Sequence, residues 1–257
     1  MGSALARGSL KSHFLKENEI VAYDSEKEKL ESFCKELNVV SAASNSEAVL
    51  GSDYIFLCVK PQQMKELLSE IGPKLQAKQC LVSIAAGVRI NTIEKALSGN
   101  IPLVRVMPNT PAMVEMGMTA VTKGKNATED HLKFVVNFFS SVGKVVVLEE
   151  ELFDTVTAVS GSGPAYFFHL TEALEEAGKK LGLKPELAKL FSRQTCLGAA
   201  QMLMGSEDPK VLREKVTSPG GTTEAALKYL QEKDWSNVFI EAVHCAQERS
   251  KVLSSLV

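Results

Sequence analysis

A segment of glycines and hydroxyl side chains, residues 216–223, has the residue types best suited to holding a small anion. It reads Val-Thr-Ser-Pro-Gly-Gly-Thr-Thr and lies between two helical patterns. Because glycine has no Cβ, the backbone amides of such a segment can approach a ligand closely. Thr222 or Thr223 is expected to cap the following helix, whose free N–H groups and positive dipole end favour a carboxylate. The pattern predicts a small acidic substrate beside a hydroxyl donor, and the alternative is a Pro-Gly-Gly turn that joins two helices.

Three further loops follow short apolar runs that predict β-strands, and each could hold part of a nucleotide. The loops are Cys58-Val59-Lys60-Pro61, Ala85-Ala86-Gly87 and Met107-Pro108-Asn109-Thr110-Pro111. Lys60 could meet a phosphate, and Asn109 offers an amide. The small residues of the second loop leave room for a flat ring to pack against the backbone. Parallel sheets bind ligands at the carboxyl ends of their strands, so the three loops together predict a cofactor site. Taken singly, each loop is also explained as a strand-ending turn.

The acidic residue Asp24 follows a predicted strand that ends at Tyr23. At this position a carboxylate commonly accepts hydrogen bonds from the adenosine ribose and repels a 2′-phosphate, which favours NADH over NADPH. The neighbouring Ser25 and Lys27 leave NADPH open, and a solvated surface aspartate is the alternative. Asn45 is expected either to face the adenine or to cap a helix.

Two kinds of hydrophobic pattern divide the chain. Up to residue 148, six apolar runs alternate with amphipathic helical patterns, which predicts a mostly parallel sheet with helices on both faces. From residue 152 onward, apolar residues recur at three- and four-residue spacing, which predicts helices alone. We expect a nucleotide-binding domain over residues 1–150 and an all-helical domain over residues 151–257. The helices carry more apolar surface than one bundle of that size needs, so we expect at least a dimer.

The first eight residues, Met1-Gly2-Ser3-Ala4-Leu5-Ala6-Arg7-Gly8, match the end of a dinucleotide-binding motif rather than its beginning. Such a fold normally opens with a strand and a G-x-G-x-x-G loop that receives the pyrophosphate. We expect Gly2 and Ser3 at the cofactor and the first strand upstream of residue 1, so that two inner strands keep unpaired edges. A truncated gene model, an alternative start or splice product, or a shortened version of the chain would explain this. Otherwise Gly2 and Gly8 are ordinary N-terminal residues.

Composition excludes several classes of protein. With a formal net charge of -2 and 45% hydrophobic residues, the chain has no basic surplus that would indicate nucleic acid as a partner. No apolar run approaches the roughly 18 residues of a membrane span, and the N-terminal residues do not resemble a signal peptide. We expect a location in the cytoplasm or inside an organelle such as the mitochondrion. The five cysteines and four histidines lack metal-ligand spacing, so we expect reduced thiols and no metal site.

Over essentially all 257 positions the chain resembles the pyrroline-5-carboxylate reductase family. The most specific pieces are residues 158–166, Ala-Val-Ser-Gly-Ser-Gly-Pro-Ala-Tyr, and residues 212–227, which contain the Pro-Gly-Gly segment. The three strand-end loops look like the family's cofactor loops. The resemblance implies an N-terminal Rossmann domain, here with its first strand apparently missing. It also implies an all-helical C-terminal domain that interlocks with a partner to form a dimer, often assembled further into a decamer.

The resemblance also implies a reaction. It is the reduction of 1-pyrroline-5-carboxylate to L-proline, the last step of proline synthesis, with NADPH or NADH giving a hydride to the C=N carbon. Ser218, Gly220, Gly221 and Thr222 would hold the substrate carboxylate. Thr223 matches the family's active-site threonine and would hydrogen-bond the ring nitrogen, so Thr223 and Ser218 are the catalytic candidates. Since a threonine hydroxyl is a poor acid, Thr223 is expected to orient the imine while water supplies the final proton.

Three other positions carry weaker expectations. Glu150 matches an acidic position near the family's substrate, although a solvated charge run over residues 149–151 is the alternative. Ser160-Gly161-Ser162-Gly163 resembles a phosphate loop, but it follows helix-like sequence, so we expect close helix packing. Lys215 stands where some relatives place an asparagine, which could strengthen carboxylate binding or alter cofactor preference.

Two other functions compete with the reductase. One is a catalytically impaired chain whose helical half still assembles with full-length subunits. The other is a different small dehydrogenase, such as a hydroxy-acid dehydrogenase. Those enzymes usually carry a catalytic lysine on the first long helix after the nucleotide domain, and residues 165–175 contain none.

Overall fold

The apolar runs near the N-terminus form strands because β-branched and aromatic side chains suit a pleated surface buried on both faces. The computed structural model describes residues 1–254, and in that range seven strands are present. In chain order they are β1 Val21–Ala22, β2 Val40–Ser41, β3 Tyr54–Leu57, β4 Cys80–Ser83, β5 Leu103–Met107, β6 Gly117–Lys123 and β7 Gly143–Val147. Each of the six predicted runs overlaps a strand, and β2 is the strand that the pattern misses.

The strands pair into two sheets. One has two parallel strands, β1 and β2, and the other has five in the order β3-β4-β5-β6-β7. In the larger sheet only β5 and β6 are antiparallel neighbours, so the sheet is mostly parallel, as predicted. Within the described residues β1 pairs only with β2, and β3 pairs only with β4. These two strands therefore keep the unpaired edges that the sequence predicts.

Helices occupy most of the remaining chain between residues 1 and 254. In chain order they are α1 Gly2–Lys11, α2 Lys27–Leu37, α3 Asn45–Ala48, α4 Met64–Ile71, α5 Ile90–Ala96, α6 Glu129–Ser140, α7 Phe153–Val156, α8 Gly163–Lys180, α9 Pro185–Met202, α10 Pro209–Lys215, α11 Thr222–Glu232 and α12 Trp235–Ser254. A single π-helical turn, Thr157–Gly161, lies between α7 and α8. The helices predicted after residue 152 are confirmed.

By packing, the chain divides into two compact units. The first contains Met1–Ser162 and the chain from Ala246 onward, and the second contains Gly163–Cys245. The domain limits that the periodicity predicts, 1–150 and 151–257, stay a prediction. Packing assigns residues 151–162 and the end of α12 to the first unit.

The core of the first unit lies on both faces of the larger sheet. On one face Leu81 of β4 packs in a cluster with the buried apolar residues of α4 and α5. On the other face Val82 packs with Leu5 of α1 and the phenylalanines of α6. All four residues of β4 are buried, as expected for a central parallel strand. This packing fixes the strand ends, from which the candidate site is built.

In the second unit α8 and α9 pack closely. A Cβ added to Gly178 of α8 would lie 3.2 Å from the Cβ of Ala188 in α9, so the two helices approach at small residues. Across residues 1–254, no helix combines the length and the apolar composition that crossing a membrane requires. Within the same range no cluster of three or more histidine, cysteine or acidic side chains is placed to hold a metal ion.

Candidate active site

The carboxyl ends of β3, β4 and β5 meet at one edge of the larger sheet and border a cavity of about 290 Å³, here called the strand-end cavity. Its lining residues are Met1, Cys58, Val59, Lys60, Pro61, Ile84, Ala85, Ala86, Met107, Pro108, Asn109, Thr110 and Gly161. Three loops that the sequence singles out separately are thus brought together within the first unit. The lining is mostly apolar with one cationic side chain, Lys60, which suits a ring and a phosphate.

The N-terminus of α1 reaches the end of β3. A Cβ added to Gly2 would lie 3.1 Å from the Cβ and 3.2 Å from the Sγ of Cys58, so only glycine allows this approach without a shift. Ser3 is exposed in the same first turn. The backbone N–H groups of Gly2 and Ser3 have no acceptor among the described residues. A helix start of this kind suits an anion, as the sequence predicts for these two residues.

Cys58 contributes a neutral group to this wall. Solvent reaches its side chain, but the protein atoms packed around the thiol displace most of the water. This desolvation raises the pKa of Cys58 to about 11, and it outweighs the nearby N-terminal ammonium, which lowers the pKa. The thiol is therefore protonated at neutral pH and places no negative charge beside a phosphate.

Gly87 does not line the strand-end cavity, although it follows Ala85 and Ala86. Its φ of +77° is left-handed, and an added Cβ would lie 3.0 Å from the Cβ of Leu253 and 3.3 Å from the Ser250 carbonyl oxygen. Glycine is required at this position because the backbone is left-handed and the end of α12 packs closely against the turn. Its predicted role in cofactor binding stays a prediction, and the two alanines carry the surface of the loop that faces the cavity.

The residues predicted to meet the adenosine lie outside the lining of the cavity. Asp24 is exposed after β1, and its Oδ1 accepts a hydrogen bond from the Glu26 N–H at 2.9 Å; Ser25 is exposed beside it. Asn45 donates from Nδ2 to Glu70 at 2.8 Å. The alternative that Asn45 caps a helix is wrong, because the cap of α3 is Ser44, whose hydroxyl accepts from the Glu47 N–H.

Asn109 is buried and fully engaged with protein groups. Its Nδ2 donates to the carbonyl oxygen of Ser160 at 3.2 Å and to the Ser160 hydroxyl at 3.3 Å. Its Oδ1 accepts from the Met118 N–H at 2.9 Å. Nearby, an added Cβ on Gly161 would lie 2.4 Å from Cε of Met107, which agrees with the close packing predicted for residues 160–163.

In the second unit, main-chain hydrogen bonds shape the Pro-Gly-Gly loop, residues 216–223. The Gly221 N–H donates to the Ser218 carbonyl at 3.0 Å, and the Gly220 N–H donates to the Glu224 carboxylate at 2.7 Å. Gly220 has a left-handed φ of +69°, which glycine adopts without strain. The two glycine amides are thus occupied within the loop, and the main-chain N–H groups of the loop that have no acceptor among the described residues are those of Ser218, Thr222 and Thr223.

The expectation that Thr222 or Thr223 caps α11 is wrong. The N-cap is Gly221, which has extended backbone angles and no side chain, and the two threonines are the first residues of the helix. No side chain caps the helix, since Glu224 in the first turn accepts from the Gly220 N–H, which lies before the N-cap. The N–H groups of Thr222 and Thr223 have no acceptor among the described residues. Both hydroxyls therefore stand beside free amide donors at a helix start.

Glu150 has two partners inside the first unit. Its Oε1 accepts from Nη1 of Arg105 at 2.8 Å and from the Ile90 N–H at the start of α5, also at 2.8 Å. Glu149 and Glu151 are exposed, so the solvated-run alternative describes them but not Glu150. The substrate role of Glu150 stays a prediction. Lys215 ends α10 and pairs with Glu207, so its charge is shared with a carboxylate.

Comparisons with known proteins identify the family. Residues 150–253 match the family model described as pyrroline-5-carboxylate reductase dimerisation, and residues 1–87 match one described as NADP oxidoreductase coenzyme F420-dependent. A pyrroline-5-carboxylate reductase of Pseudomonas aeruginosa is 40% identical over 249 residues, which covers 96% of this chain and 91% of that protein. One from Arabidopsis thaliana is 39% identical over 256 residues, which covers 99% and 92%. The chain belongs to the pyrroline-5-carboxylate reductase family.

Solved structures of pyrroline-5-carboxylate reductases have the same fold. The Coxiella burnetii enzyme superposes with a TM-score of 0.89 at 36% identity and covers 98% of this chain and 94% of its own. A Plasmodium falciparum pyrroline carboxylate reductase with NADP bound has a TM-score of 0.89 at 33% identity and covers 99% and 94%. These matches confirm the predicted fold class, a Rossmann-type N-terminal domain followed by an all-helical dimerisation domain.

Three residues of this reductase hold the site together through contacts that were not predicted from the sequence. Arg105 is 3% exposed and binds Glu150, with its guanidinium 4.8 Å from the centre of the Phe153 ring. Asp154 is buried and accepts from the Ser250 hydroxyl at 2.7 Å. Ser160 binds Asn109. Only Arg105 leaves a signal in the sequence, because it is a lone charge inside an apolar run.

Proposed function

We propose that the chain is an NAD(P)H-dependent reductase that converts 1-pyrroline-5-carboxylate to L-proline, the last step of proline synthesis. The observation that carries the proposal is the match to pyrroline-5-carboxylate reductases along nearly the whole of both chains, one of them solved with NADP bound. The same comparisons favour the reductase over a catalytically impaired subunit. No structural feature in the described residues favours a hydroxy-acid dehydrogenase.

The strand-end cavity fits a dinucleotide. Its small lining residues leave room for a ring at Ala85 and Ala86, and the α1 N-terminus approaches because Gly2 lacks a Cβ. The exposed ammonium of Lys60 and the free N–H groups of Gly2 and Ser3 would hold phosphate oxygens. Bound NAD(P)H supplies the hydride that reduces the C=N bond. We assign Val59 and Pro61 to the walls of the same site, where their apolar side chains would exclude water from the reactive ring.

The Pro-Gly-Gly loop would hold the substrate carboxylate. Since Gly220 and Gly221 use their N–H groups within the loop, the carboxylate would be bound by the N–H groups of Thr222 and Thr223 and by the Ser218 hydroxyl. Gly220 and Gly221 shape this cradle rather than donate to it. The positive end of the α11 dipole adds to the attraction for an anion.

Thr223 would orient the imine. Its hydroxyl would donate a hydrogen bond to the ring nitrogen and hold the C=N bond in a fixed orientation. Because the pKa of an aliphatic hydroxyl is far above neutrality, water rather than Thr223 supplies the proton that the nitrogen finally keeps.

For Thr223→Ala we expect turnover to fall by about 100-fold, the usual cost of losing one oriented donor, with unchanged affinity for the cofactor. Steady-state oxidation of NADH and NADPH with 1-pyrroline-5-carboxylate measures turnover, and fluorescence titration measures affinity. Thr92→Ala, in the first turn of α5, is the matched control and should behave as wild type. An unaltered rate in Thr223→Ala would remove this residue from the mechanism. No oxidation of either cofactor by the wild-type chain would overturn the proposed function.

We extend the proposal to assembly and location. The dimerisation family model over residues 150–253 supports a homodimer, and the assembly that we propose beyond it is a decamer. The cytoplasm is the proposed location, with the mitochondrion as the alternative, and fractionation of cells that express a tagged chain would decide between them.

Asp24 supports NADH as the cofactor and Ser25 beside it keeps NADPH open, so the steady-state assay compares both cofactors.

A further inference from the structure

The wall of the strand-end cavity is made of two segments that lie far apart in sequence. Residues 107–110 are the last residue of β5 and the loop that follows it, and Gly161 ends the π-helical turn. Both segments belong to the first unit. Their separation sets the width of the cavity at this wall, and two contacts fix it. One is the packing of Gly161 on Met107, and the other is the Asn109 amide, which binds Ser160 at both its carbonyl and its hydroxyl.

The Ser160 carbonyl needs a donor from outside its own helix. In a regular α-helix its donor would be the N–H of the residue four positions later, which here is Pro164 and has no N–H. Nδ2 of Asn109 lies 3.2 Å from this oxygen and supplies the missing donor. Because Ser160 is partly buried, a carbonyl left without a donor here would lower the stability of the fold. The asparagine therefore completes the hydrogen bonding of the turn as well as joining the two segments.

Only an amide satisfies both sides of Asn109. The Met118 N–H requires an acceptor, so Oδ1 must face it, and Nδ2 must then face Ser160. The two hydrogens of Nδ2 correspond to the two oxygens of Ser160, at 3.2 Å and 3.3 Å. No side-chain N–H remains to donate to a cofactor. Asn109 lines the cavity, yet the polar atoms of its side chain are all bound to protein groups.

We propose that Asn109 is a positioning residue, which sets the cofactor-binding wall through Ser160 and Met118 instead of binding the cofactor with its own amide. The inference rests on the proposed function, because it assigns the strand-end cavity to NAD(P)H. It replaces the cofactor contact predicted for Asn109 with an indirect role. A direct contact and a positioning role predict different affinities for NADPH when Ser160 is substituted.

Asn109→Asp is the most specific test. The carboxylate keeps the acceptor for the Met118 N–H, but it places a second oxygen against the Ser160 carbonyl, so the bond to that carbonyl is replaced by repulsion. This repulsion at the Ser160 carbonyl should weaken NADPH binding by about tenfold, although the Ser160 hydroxyl can still donate to the new carboxylate. Fluorescence titration of NADPH gives the Kd, and a thermal melt of each variant gives Tm. Ser160→Ala, which removes only the hydroxyl, should weaken binding by about twofold to threefold.

Gln79→Ala is the matched control for lost stability. Gln79 is also a buried amide that makes three hydrogen bonds to protein groups: it accepts from the Gln76 N–H and donates to the carbonyl oxygens of Val49 and Ser52. It precedes β4, at the amino end of the sheet, and does not line the strand-end cavity. Gln79→Ala and Asn109→Ala should lower Tm by similar amounts, whereas only Asn109→Ala should raise the Kd of NADPH.

A double variant separates the positioning role from a direct contact. If Asn109 acts through Ser160, Asn109→Ala with Ser160→Ala should bind NADPH no more weakly than Asn109→Ala alone. Additive losses of NADPH affinity in the double variant would indicate independent contacts and overturn the inference. A wild-type Kd in Asn109→Asp would also overturn it. So would an equal rise in the Kd of NADPH in Asn109→Ala and Gln79→Ala. If Asn109→Ala does not fold, Asn109→Asp and Ser160→Ala carry the test. A wild-type chain that neither binds NADPH nor reduces the imine would instead refute the proposed function.

Discussion

At the residue scale, the two adjacent glycines of the Pro-Gly-Gly loop are required for different reasons. Gly220 has a left-handed φ and open space around it, so a side chain there would meet strain but no clash. Gly221 has an ordinary φ of -84°, but an added Cβ would lie 2.5 Å from the Ser218 hydroxyl and 2.9 Å from the Ser218 carbonyl oxygen. Gly221 is therefore fixed by the close approach of Ser218, which is itself a proposed ligand of the substrate.

Gly221→Ala should displace Ser218 and thereby damage the carboxylate cradle. We expect kcat/KM for 1-pyrroline-5-carboxylate to fall by about 10–100-fold, with the Kd of NADPH unchanged, because no residue of the strand-end cavity is altered. Gly72→Ala is the control, since its φ is helical and its nearest contact, Cδ2 of Leu97 at 3.5 Å, is ordinary. Steady-state kinetics on both variants checks the prediction. A Gly221→Ala enzyme with normal kcat/KM would show that Ser218 does not hold the substrate.

Individual loops were predictable from residue type, but the partners of their side chains were not. The sequence identifies Lys60, Ala85 and Ala86 because small or cationic residues at strand ends have a limited set of uses. It assigns Asn109 to the cofactor and Glu150 to the substrate, whereas the structure shows both bound to protein groups. Ser160, which binds Asn109, lies 51 positions away along the chain, and Arg105, which binds Glu150, lies 45 positions away. Spacing within a motif carries no information about such contacts.

At the element scale, the end of α12 is fastened to the first unit. The Ser250 hydroxyl donates to the buried Asp154, and Gln247 donates to the Thr155 hydroxyl at 2.7 Å. On the same stretch of helix, Leu253 packs against Gly87 at the turn after β4. The end of α12 thus holds the segment that follows Ala85 and Ala86, two residues of the cavity wall.

Ser250→Ala should weaken this attachment. Asp154 would lose a hydrogen bond to a buried charge, worth about 1.5–3 kcal/mol, and for a chain of this size each kcal/mol shifts Tm by about 2–4 °C. Differential scanning calorimetry at one fixed protein concentration measures the shift. Ser236→Ala, on the exposed first turn of α12, is the control and should change Tm by about 1 °C at most. Equal melting temperatures for the two variants would mean that the Ser250 bond does not stabilise the fold.

Helix limits were predictable at this scale because their signals are local. Pro185 and Pro209 begin α9 and α10, where a proline costs no hydrogen bond, and Gly182 with its φ of +97° ends the turn after α8. The π-helical turn at Thr157–Gly161 has no such signal, because it depends on what packs against Gly161 and on the donor supplied by Asn109. Strand β2 escapes the pattern because the two valines Val39 and Val40 are followed by Ser41, whereas β1, of the same length, lies inside a longer apolar run.

At the scale of the whole molecule, apolar surface on the second unit indicates the partner. Large side chains of its helices are more than half exposed in the single chain, among them Phe168 at 64%, Leu190 at 60%, Leu197 at 60%, Val238 at 63% and Ile240 at 61%. Monomeric proteins rarely expose so many large apolar side chains to solvent. These residues lie in the stretch that matches the dimerisation family model, which agrees with the excess of apolar positions in the sequence.

Leu197→Glu should therefore break the dimer. A carboxylate in the middle of α9 would be buried without a partner in the interface, at a cost of several kcal/mol per subunit, and a two-fold symmetric interface counts that cost twice. Analytical ultracentrifugation should show monomers, or a dimer that dissociates at micromolar concentrations. Lys184→Glu, at the exposed start of the same helix, makes a larger charge change outside the apolar surface and should leave the dimer intact. Because both variants preserve the strand-end cavity, NADPH binding by the Leu197→Glu monomer would show that the first unit folds without its partner. A dimer as stable as wild type in Leu197→Glu would place the interface elsewhere on the second unit.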